Sequence, residues 1–193
     1  AAISKEDYKE QIAPDEIFIS DSLSSTIAQI QEIFCTSNRV ALPDPSHPIY
    51  VNTTVLAGRT RMQLKNGRYG GIVYLPCLEE NGFCPEPPRE ICDLIYLSSP
   101  QHPTGAAMEK SLLKRWVDYA ANAKAIILFE SACHLYVQSD KAARSIYEIE
   151  GAKEVAIELR SYAKVPGASG LGLSYLTIPK TLKIFDCGRD YFV

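Results

Sequence analysis

Short, wholly apolar runs alternate with stretches in which apolar residues return every three or four positions. The runs Val40-Ala41-Leu42, Gly71 to Leu75, Asp93 to Leu97, Ala125 to Phe129, Val155 to Leu159 and Leu173 to Ile178 predict strands buried on both faces. Pro43, Pro76 and Pro100 follow runs of this kind, and Pro179 stops the last one. Ile17 to Ser20 lead into Leu23, Ile27, Ile30, Ile33 and Phe34, whose spacing predicts one buried helical face, with Ser20, Asp21 and Ser22 as candidate caps. A second helix is expected around Tyr50 to Ala57. A third, from about Met108 to Asn122, buries Leu112, Leu113, Trp116, Val117 and Ala120. Gly82, Pro85, Pro87 and Pro88 make the segment from Glu79 to Arg89 an irregular loop.

Strands apolar on both faces and separated by helices imply an α/β fold: a mostly parallel sheet with helices on each side, in one domain over residues 1–193. Ligands in such sheets sit beyond the carboxyl ends of the strands. The polar tails Ser98 to Gly105, Glu130 to His134 and Ser161 to Gly170 are therefore where a site is expected.

Composition changes this picture little. With 193 residues, 46% apolar and 22% charged, the chain can bury a core and is not a disordered one. A net charge of −3 without a dense basic run excludes the electrostatic footprint of a nucleic-acid binder. Mean hydropathy is −0.08 and no run is long enough to span a bilayer, which leaves at most a peripheral association with a membrane complex. Ala1 to Asp7 lack the basic and apolar regions of a signal peptide. The six cysteines, Cys35, Cys77, Cys84, Cys92, Cys133 and Cys187, show no CxxC pair and no zinc-finger spacing. Reduced thiols are expected, with a disulfide among Cys77, Cys84 and Cys92 as the alternative.

Several segments carry a more specific signal: Asp15 to Asp21, Asp44-Pro45-Ser46-His47-Pro48-Ile49-Tyr50-Val51, Asp93 to Gly105, Ser145 to Glu158, and Ser161-Tyr162-Ala163-Lys164. In these the chain resembles the LL-diaminopimelate aminotransferase family of fold-type-I pyridoxal-phosphate enzymes. The resemblance implies a three-layer α/β/α fold with a mostly parallel mixed sheet, of the PLP-dependent transferase large-domain type. It also implies that the family's N-terminal arm and small C-terminal domain lie outside this chain.

By the resemblance, Lys164 matches the Schiff-base lysine and Ser161 a serine that holds the cofactor phosphate. The remaining matches depart from the family pattern. His102 stands for the Asn that bonds the ring oxygen, Cys133 for a Tyr with the same role, and His47 for the Tyr that stacks on the ring. Glu130 stands for the Asp that pairs with the pyridine nitrogen, keeping the charge on a longer arm. Ser22 takes the place of a glycine in the phosphate turn. In Gly167-Ala168-Ser169-Gly170-Leu171-Gly172, the last residue replaces a phosphate-binding arginine, a contact whose loss costs about two decades of affinity.

These departures make a non-catalytic, aminotransferase-like subunit of a larger, organellar assembly the first reading. It binds no cofactor, has a protein partner, and is placed by family analogy in a plastid, with the cytoplasm second. The alternative is a pyridoxal-phosphate aminotransferase with Lys164 as Schiff-base lysine. His47, His102 and Cys133 are also residue types that bind zinc, which makes a metal site a third and weaker reading.

Overall fold

Side chains along β4 (Leu94–Ser98) and β5 (Ile126–Glu130) alternate between two hydrophobic clusters, which is why neither run carries a polar face. Leu94, Tyr96, Ile126 and Leu128 enter one cluster, and Ile95, Leu97, Ile127 and Phe129 enter the other. A computed structural model describes residues 2–8, 11–168, 170–186 and 189–192. Five further strands flank that pair: β1 (Ile17–Ser20), β2 (Val40–Asp44), β3 (Ile72–Pro76), β6 (Ala156–Ser161) and β7 (Ser174–Thr177). All seven form one sheet in the order β1-β7-β6-β5-β4-β2-β3. The pairs from β3 through β6 are parallel, and β7 runs antiparallel between β1 and β6.

Helices cover both faces. On one, α1 (Ala2–Tyr8) and α4 (Lys110–Ala123) bury Tyr8, Leu112, Leu113, Trp116, Val117 and Ala120. Trp116 Nε1 donates to Pro85 O at 2.9 Å, tying the proline-rich loop to this layer. On the other face lie α2 (Leu23–Gln29) and α3 (Pro48–Leu56), over Ile27, Tyr50, Leu94 and Tyr96. The α/β/α fold with a mostly parallel mixed sheet is therefore observed. A last hairpin, β8 (Lys183–Asp186) with β9 (Arg189–Phe192), and α1 itself were not marked by periodicity.

Two expectations need correction. The helix expected to run through Phe34 ends at Gln29 and tightens into a 3-10 turn over Ile30–Ile33. The change of pitch turns Ile33 outward, to 52% exposure, while the Arg59 guanidinium donates to the carbonyls of Gln31, Phe34 and Cys35 at the end of the turn. Cys35 is disulfide-bonded, whereas Cys77, Cys84, Cys92 and Cys133 are free thiols. Pairing follows proximity in space, which local spacing does not encode. Ser169 and Cys187 lie outside the described residues.

Of the three candidate caps of α2, Ser22 does the work: its Oγ accepts from Ser25 N at 3.1 Å. Ser22→Ala is expected to cost about 1 kcal/mol, read as a lower denaturation midpoint at unchanged slope.

Candidate active site

The carboxyl ends of β2, β4, β5 and β6 deliver their following loops to one side of the sheet, where they enclose a cavity of about 560 Å³. Ser22, His47, His102, Glu130, Cys133, Ser161 and Lys164 all line it. Each is placed by a local device. Ser22 caps α2, and His47 caps α3 by accepting from Ile49 N at 3.1 Å through Nδ1. Glu130 is the last residue of β5, and Cys133 precedes the 3-10 turn His134–Tyr136. Ser161 ends β6, and its Oγ accepts from Ala163 N at 3.1 Å, capping the turn Tyr162–Lys164. Lys164 closes that turn, and its carbonyl accepts from the Tyr136 hydroxyl at 2.8 Å.

The His47 and His102 rings lie 4.7 Å apart, tilted by 50°. Burial, then His102 and Lys164, holds the His47 imidazole below its usual range. Burial pushes the Cys133 thiol up, with the Glu130 charge adding to it and Lys164 opposing. The Glu130 carboxyl is also raised by burial, against a hydrogen bond from Tyr50 and the charges of His102 and Lys164. A primary amine, a carboxyl, a thiol and two imidazoles thus share one pocket. Of these groups, the primary amine is the one that condenses with carbonyl compounds.

Among the described residues no three His, Cys, Asp or Glu side chains converge as ligands, and His47 Nδ1 is engaged by the α3 backbone. The neighbouring Gln101 is turned away to the protein: its amide donates to Pro45 O at 2.6 Å and its oxygen accepts from Thr104 N at 3.2 Å.

Tyr136 also lines the cavity and was missed by sequence reasoning. An aromatic with a polar tip two residues beyond the tail that ends at His134 was the available signal. Gly172 lines the wall beside α2, where a Cβ would stand 2.5 Å from the Asp21 carbonyl oxygen. Backbone therefore packs on backbone here, and Lys164 is the only Lys or Arg among the described lining residues. Gly172→Ala is expected to force the 170–173 segment outward and cost about 1–3 kcal/mol, measurable by denaturation.

The family model for aminotransferase class I and II matches residues 3–189. The LL-diaminopimelate aminotransferase of Desulforapulum autotrophicum is 49% identical over 187 residues, which cover 95% of this chain and 46% of that protein. The enzyme of the same name from Desulfotalea psychrophila is 47% identical over 188 residues, covering 96% and 46%. Among solved structures, L,L-diaminopimelate aminotransferase from Chlamydomonas reinhardtii aligns with a TM-score of 0.89 at 38% identity, over 94% of this chain and 45% of that one. The chain spans about half the length of the curated relatives it matches.

Proposed function

The chain belongs to the aminotransferase class I and II family, and from that membership we propose that it forms the cofactor-binding part of an LL-diaminopimelate-type aminotransferase. The observation that carries this reading is the position of Lys164, on a turn pinned by Ser161 and Tyr136, in the same cavity as Glu130.

The donor set fits the ring and the aldehyde of pyridoxal phosphate. That cofactor supplies an aldehyde for reaction with amines and a pyridine ring that draws electron density from the bond being broken. Lys164 Nζ would hold it, since a primary amine condenses with an aldehyde carbon and releases water. Glu130 is the carboxylate available to the pyridine nitrogen, and His47 offers a ring face for stacking. Lys164 Nζ would also be a group able to carry a proton to and from a substrate carbon.

The phosphate corner is weaker. It offers the Ser22, Ser24 and Ser161 hydroxyls, with Ser22 and Ser161 engaged as caps, and Gly172 brings no charge. Pyridoxal and pyridoxal phosphate are accordingly expected to bind this chain within about tenfold of each other, because no arginine stands among the described residues lining the cavity. Competition binding reads this ratio directly. A preference above a thousandfold would contradict it.

That same corner favours a second reading, a non-catalytic subunit that acts through a protein partner. Titration of the full-length protein with pyridoxal phosphate separates the two. A saturable visible absorbance band, and amino transfer from LL-diaminopimelate to a 2-oxo acid, support the aminotransferase. No band in excess cofactor leaves the non-catalytic subunit.

A further inference from the structure

Glu130 is tethered. Its Oε2 accepts a hydrogen bond from the Tyr50 hydroxyl, which reaches it from α3. Tyr50 is 1% exposed, and its ring packs on Tyr96 of β4 at 5.0 Å and 31°, within the cluster beneath α2 and α3. Ser98, beside Glu130 in the β4–β5 register, completes a floor of buried side chains. A glutamate has one more rotatable bond than an aspartate, and a free one at a cavity wall samples several rotamers at an entropic cost to any single pose. The phenol removes that freedom.

We propose that Tyr50 is a positioning residue for Glu130: its hydroxyl occupies Oε2 and holds the carboxylate in one rotamer, leaving Oε1 as the atom that meets a protonated ring nitrogen. The inference rests on the cofactor reading above only for the identity of the ligand. Tyr50 was outside the residues singled out from the sequence because its partner lies 80 positions away.

The groups facing Glu130 are Tyr50 from α3, His102 after β4, Cys133 after β5 and Lys164 after β6. Burial favours the neutral carboxyl, while the donated hydrogen bond and the charges of His102 and Lys164 favour the carboxylate. Removing the phenol therefore moves Glu130 in one direction only, toward the neutral acid.

The test begins with the ligand-free full-length protein. An isotope-edited titration of Glu130, assigned through Glu130→Gln, is expected to rise by about one pH unit or more in Tyr50→Phe, since the lost hydrogen bond went to a charged acceptor. An unchanged midpoint overturns the proposal. With pyridoxal phosphate added, Tyr50→Phe is expected to weaken binding severalfold in the native background and to have no further effect in Glu130→Gln. Equal losses in both backgrounds give Tyr50 a purely structural role and also overturn it. Should pyridoxal phosphate bind to none of these proteins, the cofactor reading falls and the titration alone decides on Tyr50. If Tyr50→Phe does not fold, the wild-type Tyr50 hydroxyl proton takes its place. A downfield resonance lost in Glu130→Ala supports the tether, and one that persists unchanged overturns it.

Discussion

In Lys164→Ala, borohydride reduction after incubation with pyridoxal phosphate is expected to leave no pyridoxyl group on the chain, whereas the native protein carries it on the peptide containing Lys164. The amine is the only Lys or Arg side chain among the described residues lining the cavity, so no neighbour stands ready to replace it. If the chain works as proposed, loss of proton transfer by Lys164 alone would be worth roughly 10²–10⁴-fold in amino transfer. Lys164→Arg separates charge from chemistry. The guanidinium keeps a cation in the pocket but stays protonated at neutral pH and does not condense with the aldehyde. Non-covalent binding by Lys164→Arg without the reducible bond is the expected pattern. A native yield of adduct at another lysine in Lys164→Ala would remove Lys164 from this role.

Arg160→Met carries the largest expected loss of stability, roughly 3–5 kcal/mol, because it strands a buried charge. Arg160 is 1% exposed and Glu158 is fully buried, although both lie on β6, two residues apart. The Arg160 guanidinium approaches Glu158 at 3.5 Å and Asp7 at 3.6 Å, donates to Ser131 Oγ at 3.1 Å and to Arg144 O at 3.0 Å, and lies 4.8 Å over the Tyr8 ring. Glu158 accepts in turn from Ser131 and Ser145, at 2.8 and 3.0 Å. With Arg160 gone, Glu158 keeps the neutral Ser131 and Ser145 donors, and α1 loses one contact each at Asp7 and Tyr8, which keep Tyr175 and Thr177. Faster proteolysis within α1 should therefore accompany the lower denaturation midpoint. The double variant Glu158→Gln with Arg160→Met is expected to recover much of the loss. A cost below about 1 kcal/mol for the single variant would show that the charge is solvated in a way this packing does not provide.

The same network has a sign in pH. Burial and the Arg160 charge hold the His134 imidazole below its usual range, with Asp7 and Glu158 opposing. A group whose folded value is depressed binds more protons when unfolded, so its contribution is present above the ordinary histidine range and is lost as the pH falls through the folded value. Acid titration of stability should flatten over that window in His134→Gln. An identical pH profile would contradict the assignment.

The strand and helix pattern was legible because it depends on near neighbours. Leu94, Ile95, Tyr96 and Leu97 announce a strand buried on both faces whatever they pair with, and Leu112, Leu113 and Trp116 mark a helical stripe. The seven pocket residues were legible for a different reason: the resemblance to a known family matched each to a contact, while the strand tails by themselves marked only the stretches that hold His102, Glu130, Cys133, Ser161 and Lys164. Those short-range rules gave out at Ile30, where the helix tightened to serve Arg59, and at Cys35, whose bonding no spacing indicated.

By itself the sequence determined an α/β chain with a mostly parallel sheet and polar strand tails, of which Ser161 to Gly170 contains Lys164, because side-chain periodicity and strand-end chemistry are local properties. Tertiary structure alone decided what surrounds that lysine. The Tyr50 contact to Glu130 spans 80 positions, and the Tyr8 contact to Thr177 spans 169. Such pairs are created by strand order and helix packing, and each forms only once the sheet has brought its two ends together.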